Sequence, residues 1–352
     1  MSIDVMNDSP RDWQSELSKL AIAHGGPKVN AQIKARPEDF RVLENLQVVP
    51  SGAGEHYWLH ISKTKRSTDQ VAKELAKFTK VSHRDVGYSG IKDFFAITDQ
   101  WFSVWMPGAE SPDWNSFDLP GVRINKITQH ARKIKRGTHK SNFFEVQISG
   151  IDGTADAIFQ TVELIKEQGV PNYFGPQRFG NNADNMNQVM TFFNGGKRSK
   201  NRNLHGLLLS SARSWIFNKI VSARVEQGSW QSLLANEPAC LAGSNSMFIS
   251  ENAEDEIERL LSMDIHPSAP MWGRNSERLM LDSKTVHDWE LEVIANEQKL
   301  CHGLERAGLE YQRRPIRSHV RNLSAKRNDR GVVLSFELQR GQFATSVLRE
   351  LV

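Results

Sequence analysis

Apolar positions alternate along HYWLHISKT (56–64), where Tyr57, Leu59 and Ile61 fall on one side and predict a strand. Upstream, residues 31–49 carry Pro37 followed by DFRVLENLQVV, which is also strand-like. The period then changes. Val71, Leu75 and Phe78 recur at steps of four and three behind Ser67 or Thr68, predicting a capped helix with one buried face. Gly87 and Gly90 bracket a short extended piece, and Trp101–Met106 and NFFEVQI (142–148) predict further strands. A helix is expected over Ala155–Gln168, stopped by Gly169.

Beyond Gly169 the text GVPNYFGPQRFGNNADNMN is dense in Gly, Pro and Asn, which marks a linker or a functional loop. From there to about residue 312 the recognisable elements are helical. One covers SSARSWIFNKIVSARVEQG, and one long helix is expected from Val286 through Leu304 to a stop at Gly308. Strand-like text returns in GVVLSFELQ and runs into the turn of RGQFATSVLREL. Sheet-like sequence at both ends of a helical section predicts an inserted domain.

A length of 352 residues fits about two domains. With 39% hydrophobic and 24% charged residues and a mean hydropathy of -0.50, the composition is that of a globular chain and excludes a fibrous or disordered one. No apolar run is long enough for a membrane span, and MSIDVMNDSPRDW lacks the order of a secretory signal, so a cytoplasmic protein is expected. Cys240 and Cys301 stand far apart and join no Cys/His cluster, so neither a disulfide framework nor a zinc site is expected.

The net charge of +4 is mild, but its distribution is uneven. Sixteen of the forty-five Lys and Arg lie in three runs: RKIKRGTHK (132–140), KRSKNR (197–202) and Arg313–Arg330. Such runs suit a polyanion whose condensed counterions they displace, and together they favour nucleic acid over solvated loops. The signatures of phosphate-binding loops, dinucleotide folds, zinc proteases and serine esterases are absent from the sequence. What remains is Asp93, in a Gly-flanked turn beside Lys92 and before Phe94 and Phe95. Aromatic cover and a neighbouring ammonium would make that carboxylate a reactive anion, nucleophile or base; a turn aspartate bonded to backbone is the plainer reading of the residues alone.

The surrounding text carries more. GIKDFFAITDQ (90–100) resembles the GxKDxxAxTxQ signature of the TruD family of pseudouridine synthases. KARPEDFRVLE (34–44) is similar to its KxxPEDFxVxE segment, GVPNYFGPQRFG (169–180) to its GxPNYFGxQRFG stretch, and SARSWIFN (211–218) and GQFATSVLRE (341–350) to its remaining blocks. The five blocks keep their order and span residues 34–350. Three departures stand out: Phe94 where the family commonly has Lys or Arg, Ser141 where a Gly is usual, and a chain that stops at Val352, soon after the last block.

The resemblance implies an α/β (α+β) fold, a pseudouridine-synthase catalytic domain with a mixed, largely antiparallel sheet. On this basis the catalytic domain is expected over 1–168 and 313–352, with an inserted TRUD domain over 169–312. It implies that Asp93 is the catalytic aspartate, that Phe40 lies against the target base, and that Asn142 and Phe144 line the pocket. Lys92 is expected to bind substrate, and Arg132, Lys133, Lys135, Arg136 and Arg178 to meet RNA. The implied reaction is isomerisation of uridine to pseudouridine at position 13 of tRNA, by a monomer with no cofactor, no metal and no protein partner. A catalytically silent RNA-binding protein or RNA chaperone on the same fold, and the same chemistry at another RNA site, remain open.

Overall fold

The computed structural model describes residues 11–244, 246–250, 252–274 and 284–352. They divide into two compact units: one of residues 27–167, 320–344 and 351–352, the other of residues up to 26, 168–319 and 345–350.

The first unit is built on one large sheet. Its strands are β1 (Asn30–Ile33), β2 (Phe40–Leu46), β3 (His56–Thr64), β4 (Val86–Tyr88), β5 (Ile97–Trp105), β6 (Val122–His130), β7 (His139–Asp152), β15 (Arg321–Asn328) and β16 (Gly331–Gln339). The order is β15-β16-β7-β2-β5-β3-β6, with β1 on β7 and β4 on β5. Every pairing is antiparallel except β2 with β5, so the sheet is mixed and largely antiparallel, as expected.

Strand parity explains its faces. Val332, Leu334, Phe336 and Leu338 alternate inward along β16, and the register sets Phe336 opposite Phe144 and Phe144 opposite Val42. The same face of β3 presents Leu59 and Ile61 to Val71, Ala72 and Leu75 of helix α2 (Thr68–Thr79), the residues whose spacing predicted that helix. Ser67 caps α2 in a reciprocal capping box with Gln70, and Lys80 closes it in the left-handed conformation. Helix α3 (Asp156–Gln168) buries Ile158, Val162 and Ile165.

The second unit begins with the short helix α1 (Trp13–Ser18) and centres on α5 (Arg202–Glu226), against which α4 (Asp184–Phe193), α7 (Lys284–Val293) and α8 (Gln298–Arg306) pack; α6 (Ile257–Leu261) lies by the strand Ile265–His266, and α9 (Ala344–Leu348) ends the chain's helices. It is less purely helical than the pattern predicts. Its strands β8 (Val170–Pro171), β9 (Pro238–Leu241), β10 (Met247–Ile249), β11 (Ile265–His266), β12 (Ser268–Met271), β13 (Gln312–Pro315) and β14 (Arg317–Ser318) form three small sheets too short to leave a period. The single helix expected from Val286 to Leu304 is two, separated by a 3-10 turn at Ala295–Glu297. There the buried Glu297 accepts two bonds from Arg11, a long-range partner that local periodicity cannot foresee.

Segments 11–26, 313–319 and 345–350 pack with this unit through specific bonds. His24 N–H donates to Glu350, Arg349 donates to Leu20 O, and Tyr173 Oη donates to Ala21 O. Among the described residues, no helix is long and apolar enough to cross a membrane.

Candidate active site

The loop that follows β4 is fixed along its backbone. Gly87 lacks a side chain for a steric reason: a Cβ there would lie 2.4 Å from Ile134 O. Lys92 N–H donates to Thr68 Oγ1 at 3.1 Å, the Thr68 hydroxyl donates to Gln100 Oε1 at 2.9 Å, and the Gln100 amide donates to Gly90 O at 3.1 Å. From the other side, the Lys63 ammonium donates to Asp93 O and Arg66 O, both at 2.9 Å. The main chain of Asp93 is thus anchored to the end of β3 and the start of α2, leaving its carboxylate as the group that projects.

That carboxylate is partly open, with 27% of the side chain exposed, and Oδ1 accepts from Lys34 Nζ at 3.0 Å. Lys34 follows β1 with φ at +56°, and its ammonium also lies 3.8 Å from the centre of the Phe40 ring. Phe40 meets Phe144 edge-to-face at 6.0 Å, and Phe144 stacks on Phe336 at 5.2 Å. Asp93 is therefore linked through one ammonium to the aromatic row on the inner sheet face.

Beneath the loop is a buried polar cluster. Glu44 and Asn142 are register partners on β2 and β7, and Lys92 reaches both: its Nζ donates to Asn142 Oδ1 at 2.6 Å and lies 2.7 Å from Glu44 Oε2. Ser89 bonds His139, whose imidazole is pushed down to about 4 by burial and then by the Lys92 and Arg340 charges, so it is neutral at pH 7. Burial also pushes the Lys63 ammonium down to about 8, against the pull of the Asp93 charge and with the help of Lys92.

Five residues singled out from the sequence, Phe40, Lys92, Asp93, Asn142 and Phe144, lie in the sheet unit and connect through these contacts. Two details differ from expectation. Asp93 pairs with Lys34, while Lys92 is turned inward to Glu44 and Asn142. Phe94 and Phe95, expected as aromatic cover, are exposed. Sequence reasoning missed Lys34, Glu44 and Lys63. The parity signal was there for two of them: Glu44 continues the inward series Phe40–Val42, and Lys63 continues Tyr57–Leu59–Ile61, so each places a charge where the pattern calls for a core residue.

The basic residues divide. Arg132, Lys135 and Arg136 are exposed in the loop between β6 and β7, Arg136 lying 3.9 Å over Tyr88, while Lys133 is half-buried and donates to Arg84 O. Arg178 belongs to the second unit, half-buried, donating to Ser210 Oγ at 3.1 Å; desolvation lowers its pKa. The run from Arg313, counted above with the polyanion-facing stretches, opens instead in the interior. Arg313 donates twice to Glu290, Arg314 lies 4.0 Å over Phe174, and Arg317 donates to Leu260 O and Ile265 O. Tyr173 and Phe174 are buried as loop anchors.

Comparison with known proteins agrees with the five sequence blocks. The family model described as "tRNA pseudouridine synthase D (TruD)" matches residues 19–195 and 186–351. The chain is 40% identical over 335 residues to tRNA pseudouridine synthase D of Methylococcus capsulatus, covering 95% of this chain and 94% of that one. It is 38% identical over 343 residues to the protein of the same description from Nitrosococcus oceani, covering 96% and 95%. In fold it is similar to the crystal structure of a candidate tRNA pseudouridine synthase D from Methanosarcina mazei, with a TM-score of 0.74 over 96% of both chains at 18% identity. By this match along nearly its whole length, the chain belongs to the TruD family of pseudouridine synthases, an isomerase family.

Proposed function

We propose that this chain isomerises uridine to pseudouridine at position 13 of tRNA, with Asp93 as the catalytic group. The observation that carries the proposal is the placement of Asp93: backbone anchored through Lys63 and the Lys92 amide, carboxylate partly open and paired with Lys34, and aromatic rings one contact further on.

The reaction breaks the bond from C1′ to N1, turns the uracil, and joins C1′ to C5; the proton on C5 leaves and N1 gains one. No electrons are gained or lost, so a carboxylate suffices and no cofactor is required. Asp93 either attacks C1′ or takes the C2′ proton to give a glycal. Both routes start from the carboxylate, whose Oδ1 accepts from the Lys34 ammonium at 3.0 Å. The sugar is reached only once the uridine leaves the stack, and Phe40 and Phe144, buried in the free chain with the Lys34 ammonium over the Phe40 ring, are the rings the extruded base meets once that cover moves aside. Asn142, held by Lys92, is the hydrogen-bonding group of the pocket. Arg132, Lys133, Lys135 and Arg136, together with Arg178, meet the RNA backbone.

In domain terms residues 1–168 and 313–352, which carry the large sheet, are the catalytic domain and residues 169–312 are the insertion. The enzyme works as a monomer in the cytoplasm, where tRNA is its partner. The experiment is pseudouridine mapping on unmodified tRNA treated with the wild-type chain and with Asp93→Asn. Product at position 13 with the wild type and none with the variant is expected. Product elsewhere would shift the target site, no product would leave a silent RNA binder, and turnover by Asp93→Asn would remove Asp93 from its role.

A further inference from the structure

The loop around Asp93 sorts its side chains in an unusual way. Lys92, the charged one, is buried, while Ile91 is 77% exposed, Phe94 54% and Phe95 39%. Three large apolar side chains thus stand in solvent at positions before and after Asp93 along the loop, on a backbone held by bonds to Lys63, Thr68 and Gln100. Surface hydrophobes scattered singly need no explanation, but a cluster at a functional loop marks a contact surface. Cations border it: Lys34 at the carboxylate, and Lys65, exposed, with its ammonium 5.8 Å over the Phe95 ring. Flat apolar faces joined by phosphates are what such a border of rings and ammonium groups complements.

We propose that Ile91 and Phe94 form a stacking rim that takes the nucleobases on either side of the target nucleotide, occupying the gap the extruded base leaves in the stack. The inference rests on reading the site as one that acts on an extruded uridine. Ile91 and Phe94 flank Asp93 within the same short loop, so a nucleotide whose ribose reaches that carboxylate brings its neighbours against them. Their apolar surface is exposed in the free chain and covered in the complex, which favours the opened RNA over the stacked one. The rim touches bases next to the target rather than the reacting atoms, so its residues position the RNA.

The test reads binding, separately from chemistry. Affinity is measured for an unmodified tRNA transcript and for the same RNA with abasic nucleotides on both sides of the target, using the wild-type chain, Phe94→Ala, Phe94→Trp and Ile91→Ala. Loss of one stacked base corresponds to about a ten- to hundredfold weaker complex. Phe94→Ala is expected to lose that factor on intact RNA, Phe94→Trp to restore it, and Ile91→Ala to lose less. On the abasic RNA, wild type and Phe94→Ala should bind alike. The salt slope should not change, because the ring releases no counterions. Equal affinity of wild type and Phe94→Ala for intact RNA would overturn the rim, as would the same loss on both RNAs. Pseudouridine formation is scored alongside: a rim that behaves as described in a chain that makes no product would leave the rim standing and defeat the functional reading.

Discussion

The Lys63 ammonium lies 2.9 Å from the main-chain oxygen of Asp93 and donates equally to Arg66 O, so a buried cation with two carbonyl partners sets the backbone of the candidate catalytic residue. Burial lowers its pKa to about 8 from the usual 10.5. The charged, three-donor form that grips both carbonyls is therefore lost as pH rises through about 8, and kcat should fall on that limb. Stability moves the other way. Between about 8 and 10.5 the unfolded chain holds a proton that the folded chain has released, so this group's contribution to stability rises with pH across that window. Comparing pH profiles of kcat for wild type and Lys63→Met separates this limb from ionisation of the uracil, which both proteins share. Lys63→Met should lose about ten- to hundredfold in kcat and show no limb near 8; an identical limb in both would detach Lys63 from it.

Lys34→Ala should divide activity from stability. The pair with Asp93 is partly exposed, and pairs of this kind contribute about 0.2–1 kcal/mol. Urea denaturation should therefore move by less than about 1 kcal/mol, while single-turnover rates drop at least about tenfold as the carboxylate loses its bond and its link to Phe40. Lys34→Arg should recover part of the rate. A large loss of stability with an unchanged rate per folded molecule would make the pair structural.

Strand parity made much of this arrangement legible. Phe40, Val42, Asn142, Phe144 and Phe336 fall on one face because β2, β7 and β16 keep a period of two, and Val71 and Leu75 pack with Leu59 and Ile61 of β3 because α2 keeps its own. Asp93 stood out as an acid in a glycine-flanked turn, and the order of the five blocks tied it to a family. What stayed hidden depends on partners far apart in the chain. Lys34 meets Asp93 across 59 positions, Arg313 meets Glu290 across 23, and Arg11 meets Glu297 across 286. Local pattern registers a charge but not whether its counter-charge is water, RNA or a distant carboxylate, which is why Arg313, Arg314 and Arg317 read in sequence as a surface feature and in structure as interior residues, while Lys326, Arg327 and Arg330 of the same run are exposed.

Lys92 and Glu44 are 5% and 0% exposed in their side chains, so breaking that pair should be costly. Removing one partner of a buried ion pair typically costs about 3–5 kcal/mol because the other is left uncompensated. Glu44→Leu and Lys92→Met should each approach that range in urea denaturation. The double variant should be much less destabilised than their sum, since it leaves no unpaired buried charge. Additive losses in the cycle would mean the two charges do not depend on each other.

The basic residues should separate by the salt dependence of RNA binding. Each cation on a phosphate adds about 0.9 to the slope of log affinity against log salt for duplex nucleic acid and about 0.7 for single strands. Neutralising Arg132, Lys135 and Arg136, which are exposed, should flatten the slope by about two to three with little change in unfolding. Arg313→Gln should do the reverse. Its guanidinium, with only 3% of the side chain exposed, is bound to Glu290, itself 1% exposed, and its loss should cost about 3–5 kcal/mol of stability. Among molecules that remain folded, the salt slope should then equal that of the wild type. A slope flattened by Arg313→Gln and untouched in the triple variant would place the RNA on the wrong face of the reasoning, with the loop at 132–136 turned to solvent and the interior arginine reaching phosphate after rearrangement.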